Sequence, residues 1–105
     1  MSASPGEVYI VDLGMVAKER PMLVASRHDP DAPRALVLCV PLTTRFRGSR
    51  YEVDLDRCAG LRERSWANVQ GLMAVGSEKL VRRIGTVSPA QLEGIRGALR
   101  FALDL

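Results

Sequence analysis

At 105 residues, with a net charge of +3 at pH 7 and a pI near 9.3, the chain is mildly basic and has room for one domain with a modest core. Its 47% apolar and 26% charged residues are those of an ordinary soluble globular protein and exclude both a disordered chain and a membrane-embedded one. Thirteen of the fifteen basic residues are arginine, which suits phosphate and RNA recognition, although from composition alone a GC-rich coding sequence is the plainer reading.

Residues 7–13 are β-branched and aromatic (Val8, Tyr9, Ile10, Val11) and predict a first strand, ended by Gly14. A short loop over 14–19 follows. Residues 21–26 predict a second strand with Pro21 at its first position, where a missing N–H does least harm. A turn-rich loop with Pro30 and Pro33 leads to a third strand over 35–41, which lacks alternation and is expected to be central and buried on both faces. The run 35–42 is the longest apolar stretch. It is too short to span a bilayer and contains Pro41. The first six residues lack the basic and apolar regions of a signal peptide, so a cytoplasmic protein with no membrane association is expected.

Residues 44–50 form a basic loop around Gly48, and 51–55 alternate as a half-exposed strand. After a charged connection over 57–64, residues 65–71 read as strand. Residues 73–77 lead into a last short strand over 80–85. Ser88, Pro89 and Gln91 make a capping box with proline at the first helical position. Leu92, Ile95, Leu99 and Leu103 then form one apolar stripe, predicting a helix over 89–103. Several short strands and one terminal helix describe a mainly β fold, a small barrel or sandwich, in a single domain over 1–105.

The available chemistry is narrow. The one histidine, His28, sits in a proline-rich loop and reads as solvated. No His/Cys/Asp/Glu grouping has metal-ligand spacing, so no metal or other cofactor is expected. Cys39 reads as a small buried hydrophobe, and Cys58, in a polar connection, as a buried or incidental cysteine. The carboxylates of Asp12, Glu52, Asp54 and Asp56 read as solubilising and edge-protecting groups. Arginine, threonine and serine remain. If strands two and three are antiparallel neighbours, Arg20 at the start of one and Thr43 at the end of the other share a rim. RNA carries its own nucleophile, the 2′-hydroxyl, so a guanidinium fork on the phosphate and a threonine hydroxyl fit that one reaction class, which needs no metal and no nucleophile from the enzyme. The bland readings are a surface arginine at the start of a strand and a strand-end threonine that satisfies loop backbone.

The chain as a whole resembles the MazF/PemK toxin family. The first strand over 6–13, Arg20-Pro21-Met22-Leu23-Val24, Val40-Pro41-Leu42-Thr43-Thr44, Ala67-Asn68-Val69-Gln70-Gly71-Leu72, and Arg83-Ile84-Gly85-Thr86-Val87-Ser88 followed by the helix are similar, in order, to that family's segments. The resemblance implies an SH3-like small barrel of the CcdB/PemK/MazF type with one C-terminal helix, working as a homodimer. It implies a toxin of a toxin–antitoxin pair, a metal-independent, sequence-specific endoribonuclease cutting single-stranded RNA and silenced by a cognate antitoxin. Arg20 and Thr43 match the catalytic pair, with Lys18, Ser26, Arg27, Thr44, Arg45, Arg47 and Arg50 as expected RNA-binding residues. Gln70 matches a glutamine held in the core of the fold, and Trp66 is expected in the core, with stacking on a base or a partner as the alternative. The alternatives are a non-catalytic CcdB-like toxin that binds a protein target such as gyrase, and an inactive member that only binds RNA.

Overall fold

Alternation in the apolar strands gives a sheet with two covered faces. The computed structural model describes residues 3–14 and 18–105. Among the described residues, seven strands precede one α-helix: β1 (Glu7–Asp12), β2 (Glu19–Val24), β3 (Leu36–Thr43), β4 (Glu52–Asp54), β5 (Trp66–Asn68), β6 (Met73–Gly76), β7 (Leu80–Thr86) and α1 (Pro89–Leu103). All the ladders are antiparallel, in the order β4-β5-β3-β2-β1-β7, with β6 also paired to β3. The path runs from β4 to β7 without closing, so the mainly β fold with its C-terminal helix is an open, barrel-like sheet.

Odd and even strand positions feed different cores. Val8, Leu23, Val40 and Ala67 join Leu55, Cys58, Val69, Val87, Ile95 and Ala98 in a cluster beneath α1. Tyr9, Val11, Met22, Val24 and Cys39 join Val75 and Leu80 in a second cluster on the opposite face. The helix is seated by the predicted cap and by Leu92, Ile95 and Leu99 of the predicted stripe, whereas Leu103 is exposed at the helix end and Ala98 takes a buried place. Gln91 donates its backbone N–H to Ser88 Oγ (3.1 Å) and accepts the Ser88 N–H at Oε1 (2.9 Å). Its side-chain amide also donates to the Asp56 carbonyl (2.9 Å), tying the helix start to the connection after β4. That connection lies directly on β7. A Cβ on Gly60, where φ is +90°, would stand 1.9 Å from the Ile84 oxygen, and one on Gly85 would stand 2.1 Å from the Ala59 oxygen.

Three sequence expectations are corrected. The first half of β3 is not buried on both faces: Leu36 and Leu38 are exposed, because among the described residues no element covers the outer side of the β3–β6 ladder there. Residues 65–71 do not form one strand. β5 stops at Asn68, whose side chain caps a 3₁₀ turn over Val69–Gly71 and so redirects the chain into β6, a strand the sequence pattern does not announce. Gln70 is exposed on that turn rather than in the core; Val69 takes the buried position. Cys58, in the connection between β4 and β5, is buried in the cluster under α1, in keeping with a buried cysteine. Both thiols are free, and burial pushes that of Cys39 up to about 11, which leaves it protonated and inert at neutral pH.

Candidate active site

Register determines what Arg20 and Thr43 can do together. The β2–β3 ladder runs Val24↔Cys39, Leu23↔Val40, Met22↔Pro41. Arg20 and Thr43 are the next same-face positions beyond its last rung. Each lies two residues from a partner in that rung, so both point to the face of Met22 and Cys39. They stand at the solvent end of the second apolar cluster. Arg20 is also opposite Val11 of β1, and Thr43 is opposite Trp66 of β5, which in turn is opposite Asp54 of β4. One row across the sheet therefore carries Asp54, Trp66, Thr43, Arg20 and Val11 on one face.

The charges along this row differ in their partners. Asp54 is held by Arg64 through two bonds, one of them from Nε at 3.2 Å, and this pairing pulls its carboxyl below the usual aspartate range. Arg57, Arg83, Arg96 and Arg100 are also ion-paired. Among the described residues Arg20 makes no ion pair, so its fork is available to an anion. Thr43 accepts the Arg45 N–H at Oγ1 (3.0 Å), as expected of a strand-end threonine that satisfies loop backbone. That bond uses a lone pair and leaves the hydroxyl proton free to donate. The bland role and the chemical one thus coexist in one side chain.

The basic loop after Thr43 is ordered by a carboxylate that sequence reasoning assigned to solubility. Glu52 accepts N–H bonds from Arg47 (3.0 Å) and Ser49 (3.0 Å) and the Ser49 hydroxyl (2.8 Å). An acid three residues after Ser49 and next to a tyrosine was the available signal, and it is weak on its own. The Ser49 hydroxyl above all, helped by the two backbone N–H groups, holds the Glu52 carboxyl below its ordinary 4.5 in spite of the desolvation that opposes it. A depressed carboxylate contributes above its unfolded pKa and is lost as pH falls through the folded one, so the loop stays clamped at neutral pH and loosens only below about pH 4.5. Glu52→Ala is expected to speed tryptic cleavage after Arg47 several-fold at pH 8. An unchanged cleavage rate would show that the loop does not depend on Glu52.

The other predicted binding residues divide between this rim and elsewhere. Lys18 is exposed just before β2, with φ at 56° and its carbonyl accepting the Leu13 N–H (2.9 Å); residues 15–17 of that loop lie outside the described residues. Arg45 and Arg47 are exposed in the loop, and Arg50 lies 3.8 Å over the Phe101 ring of α1. Thr44 turns to the opposite face, where it lines a groove of about 670 Å³ with Glu19, Pro21, Arg62 and Arg82. Ser26 and Arg27 are not brought together with Arg20. They line another depression with His28 at the far end of β2, six residues or about 20 Å of extended chain away. Ser26 Oγ there accepts the Leu38 N–H at 3.0 Å. Trp66 is only half-buried, and it stacks on Phe46 rather than entering the core. Among the described residues, no group of three or more His, Cys, Asp or Glu could hold a metal ion, and no helix is long and apolar enough to cross a membrane.

Residues 4–103 match the family described as PemK-like, MazF-like toxin of type II toxin–antitoxin system. The chain belongs to that family. It is 33% identical over 100 residues to endoribonuclease MazF1 of Mycobacterium bovis, covering 95% of this chain and 91% of the relative. It is 31% identical over 112 residues to endoribonuclease MazF9 of Mycobacterium tuberculosis, covering 95% of each. A solved mycobacterial endoribonuclease in complex with its cognate antitoxin superposes with a TM-score of 0.86 at 30% identity, over 99% of this chain and 97% of that one. The MazE–MazF structure from Deinococcus radiodurans, at 19% identity and a TM-score of 0.84 over 100% of this chain and 98% of that one, shows the same fold. For this member of the toxin family, the rim row offers a free guanidinium fork, a hydroxyl donor and a clamped basic loop on one side of a rigid sheet.

Proposed function

We propose that this chain is the toxin of a type II toxin–antitoxin pair and acts as a metal-independent, sequence-specific endoribonuclease on single-stranded RNA, chiefly mRNA. We take residues 1–105 as one domain that works in the cytoplasm as a homodimer and is silenced by a cognate antitoxin. The observation that carries this reading is the pairing of Arg20 and Thr43 on one face, just past the last β2–β3 rung, in a chain whose relatives are named endoribonucleases. Those names favour cleavage over the binding of a protein target such as gyrase.

In this reading the 2′-oxygen attacks the adjacent phosphorus, the P–O5′ bond breaks, and the proton of the 2′-hydroxyl passes in net to the 5′-oxygen. The products are a 2′,3′-cyclic phosphate and a 5′-hydroxyl. Arg20 neutralises charge on the non-bridging oxygens with two parallel N–H bonds. Thr43 donates its free proton to the same phosphate. Arg20 stays protonated at any working pH, so its part is electrostatic. Arg45, Arg47 and Lys18 draw the RNA backbone to the rim, and a disordered acidic antitoxin segment would be steered to the same charges.

The purified protein is expected to cut single-stranded RNA in EDTA and to leave a cyclic phosphate. A single 2′-deoxy substitution at the scissile nucleotide is expected to abolish the cut. Cleavage that needs Mg²⁺, or that survives the 2′-deoxy substitution, would overturn the mechanism.

A further inference from the structure

Phe46 and Trp66 have no role in the fold's core or in the chemistry described so far. Their rings stack at 5.0 Å between centroids with an interplanar angle of 12°. Trp66 stands opposite Thr43 on the same face, one strand spacing of about 4.8 Å away. Phe46 lies between Arg45 and Arg47, and both of those backbone N–H groups are anchored, the first on Thr43 Oγ1 (3.0 Å) and the second on Glu52 (3.0 Å). The loop therefore cannot easily withdraw the ring. One face of Phe46 meets Trp66, yet the residue remains 52% exposed, with Arg45 and Arg47 making no ion pair among the described residues. The Arg64 guanidinium also stands over the indole, 5.6 Å from the ring centroid, and is kept there by Asp54.

A presented aromatic face flanked by unpaired cations is what single-stranded RNA binds: the cations take the phosphates and the ring takes a base. The geometry points to Phe46, backed by Trp66, as a stacking platform for the nucleobase that adjoins the phosphate held by Arg20 and Thr43. The inference rests on the ribonuclease reading above and deepens it, because it places a base-binding residue one strand from the scissile phosphate. It also gives Thr43 a second function, since its bond to the Arg45 N–H sets the position of the platform relative to the reacting atoms. Stacking tolerates any base but favours purines for their larger π-face, so the platform selects for a stacked neighbour more than for a base edge.

Trp66 is the only tryptophan in the chain, so its emission reports this site alone. The probe is an RNA that the protein cuts, blocked by a 2′-deoxy residue at the scissile nucleotide, together with copies carrying one abasic site on either side of it. Binding is followed independently by the anisotropy of a label on the RNA. Saturating intact RNA is expected to change Trp66 emission, and one of the two abasic copies is expected to bind with the change lost. Phe46→Leu, which keeps apolar volume, is expected to weaken binding of intact RNA by about five- to 150-fold. It should bind that same abasic copy as wild type does, and Phe46→Tyr should restore affinity for intact RNA. Emission unchanged at saturation, or an equal loss for intact and abasic RNA in Phe46→Leu, would overturn the platform and leave a ring pair that only anchors the loop. A wild-type protein that cuts no RNA would instead overturn the reading beneath it.

Discussion

Arg20→Ala is expected to lower the single-turnover rate of RNA cleavage by about 10²- to 10³-fold, the usual loss for one preorganised donor to a developing oxyanion. The fork is free of ion pairs among the described residues and emerges from a strand paired on its β1 side through Val11, so little reorganisation is needed when phosphate arrives. Arg20→Lys keeps the charge but loses the second parallel N–H bond, and should recover only part of the rate. Thr43→Val removes the hydroxyl at nearly constant volume and is expected to slow cleavage by a comparable factor, whereas Thr43→Ser, which keeps the hydroxyl, should stay close to wild type. Arg96→Ala, on the helix surface and paired with Glu93, is the control expected to leave the rate unchanged. Quench-flow measurement on one labelled RNA checks the whole series. Retention of wild-type rate by Arg20→Ala, with its thermal melt unaltered, would remove Arg20 from the chemistry.

The largest stability effect is expected at the seat of the helix. Ile95, on the inner face of α1, is fully buried among Val8, Leu23, Val40 and Leu55, so Ile95→Ala deletes apolar atoms that no solvent can replace. The loss is about 2–5 kcal/mol, which for a domain of this size lowers Tm by at least about 8 °C. Melts must be compared at one protein concentration, because Tm depends on concentration in the homodimer proposed above. A fall of less than about 1 kcal/mol by chemical denaturation would show that α1 is not integral to the core. The two series separate cleanly: the rim substitutions should affect rate with little effect on stability, and Ile95→Ala the reverse.

What was legible in the chain was what local chemistry specifies. The capping box at Ser88 and the stripe through Leu92, Ile95 and Leu99 set α1 at Pro89–Leu103, because caps and helical periodicity act within a few residues. β1, β2 and β7 were readable from β-branched and apolar runs, and the Arg20/Thr43 proximity from nothing more than antiparallel neighbours. β6 was not readable, because Met73–Gly76 has no alternation and becomes a strand only by pairing with Leu36–Cys39. Exposure followed the same division. Whether Leu38 or Gln70 meets solvent depends on which other element covers that face, a fact no local pattern holds.

By itself, then, the sequence determined the helix, most of the strands, the family segments and the shortage of catalytic groups that narrows the chemistry to the RNA's own nucleophile. The tertiary structure decided which of the basic and hydroxyl residues share a site. It put Thr43 and Thr44 on opposite faces, and Ser26 and Arg27 at the far end of β2. It also made Glu52 the clamp of the basic loop and brought Phe46 onto Trp66 beside Thr43. The physical reason is register: side chains alternate with a period of two, so the sheet's pairing, and not proximity in sequence, selects the neighbours that meet a ligand.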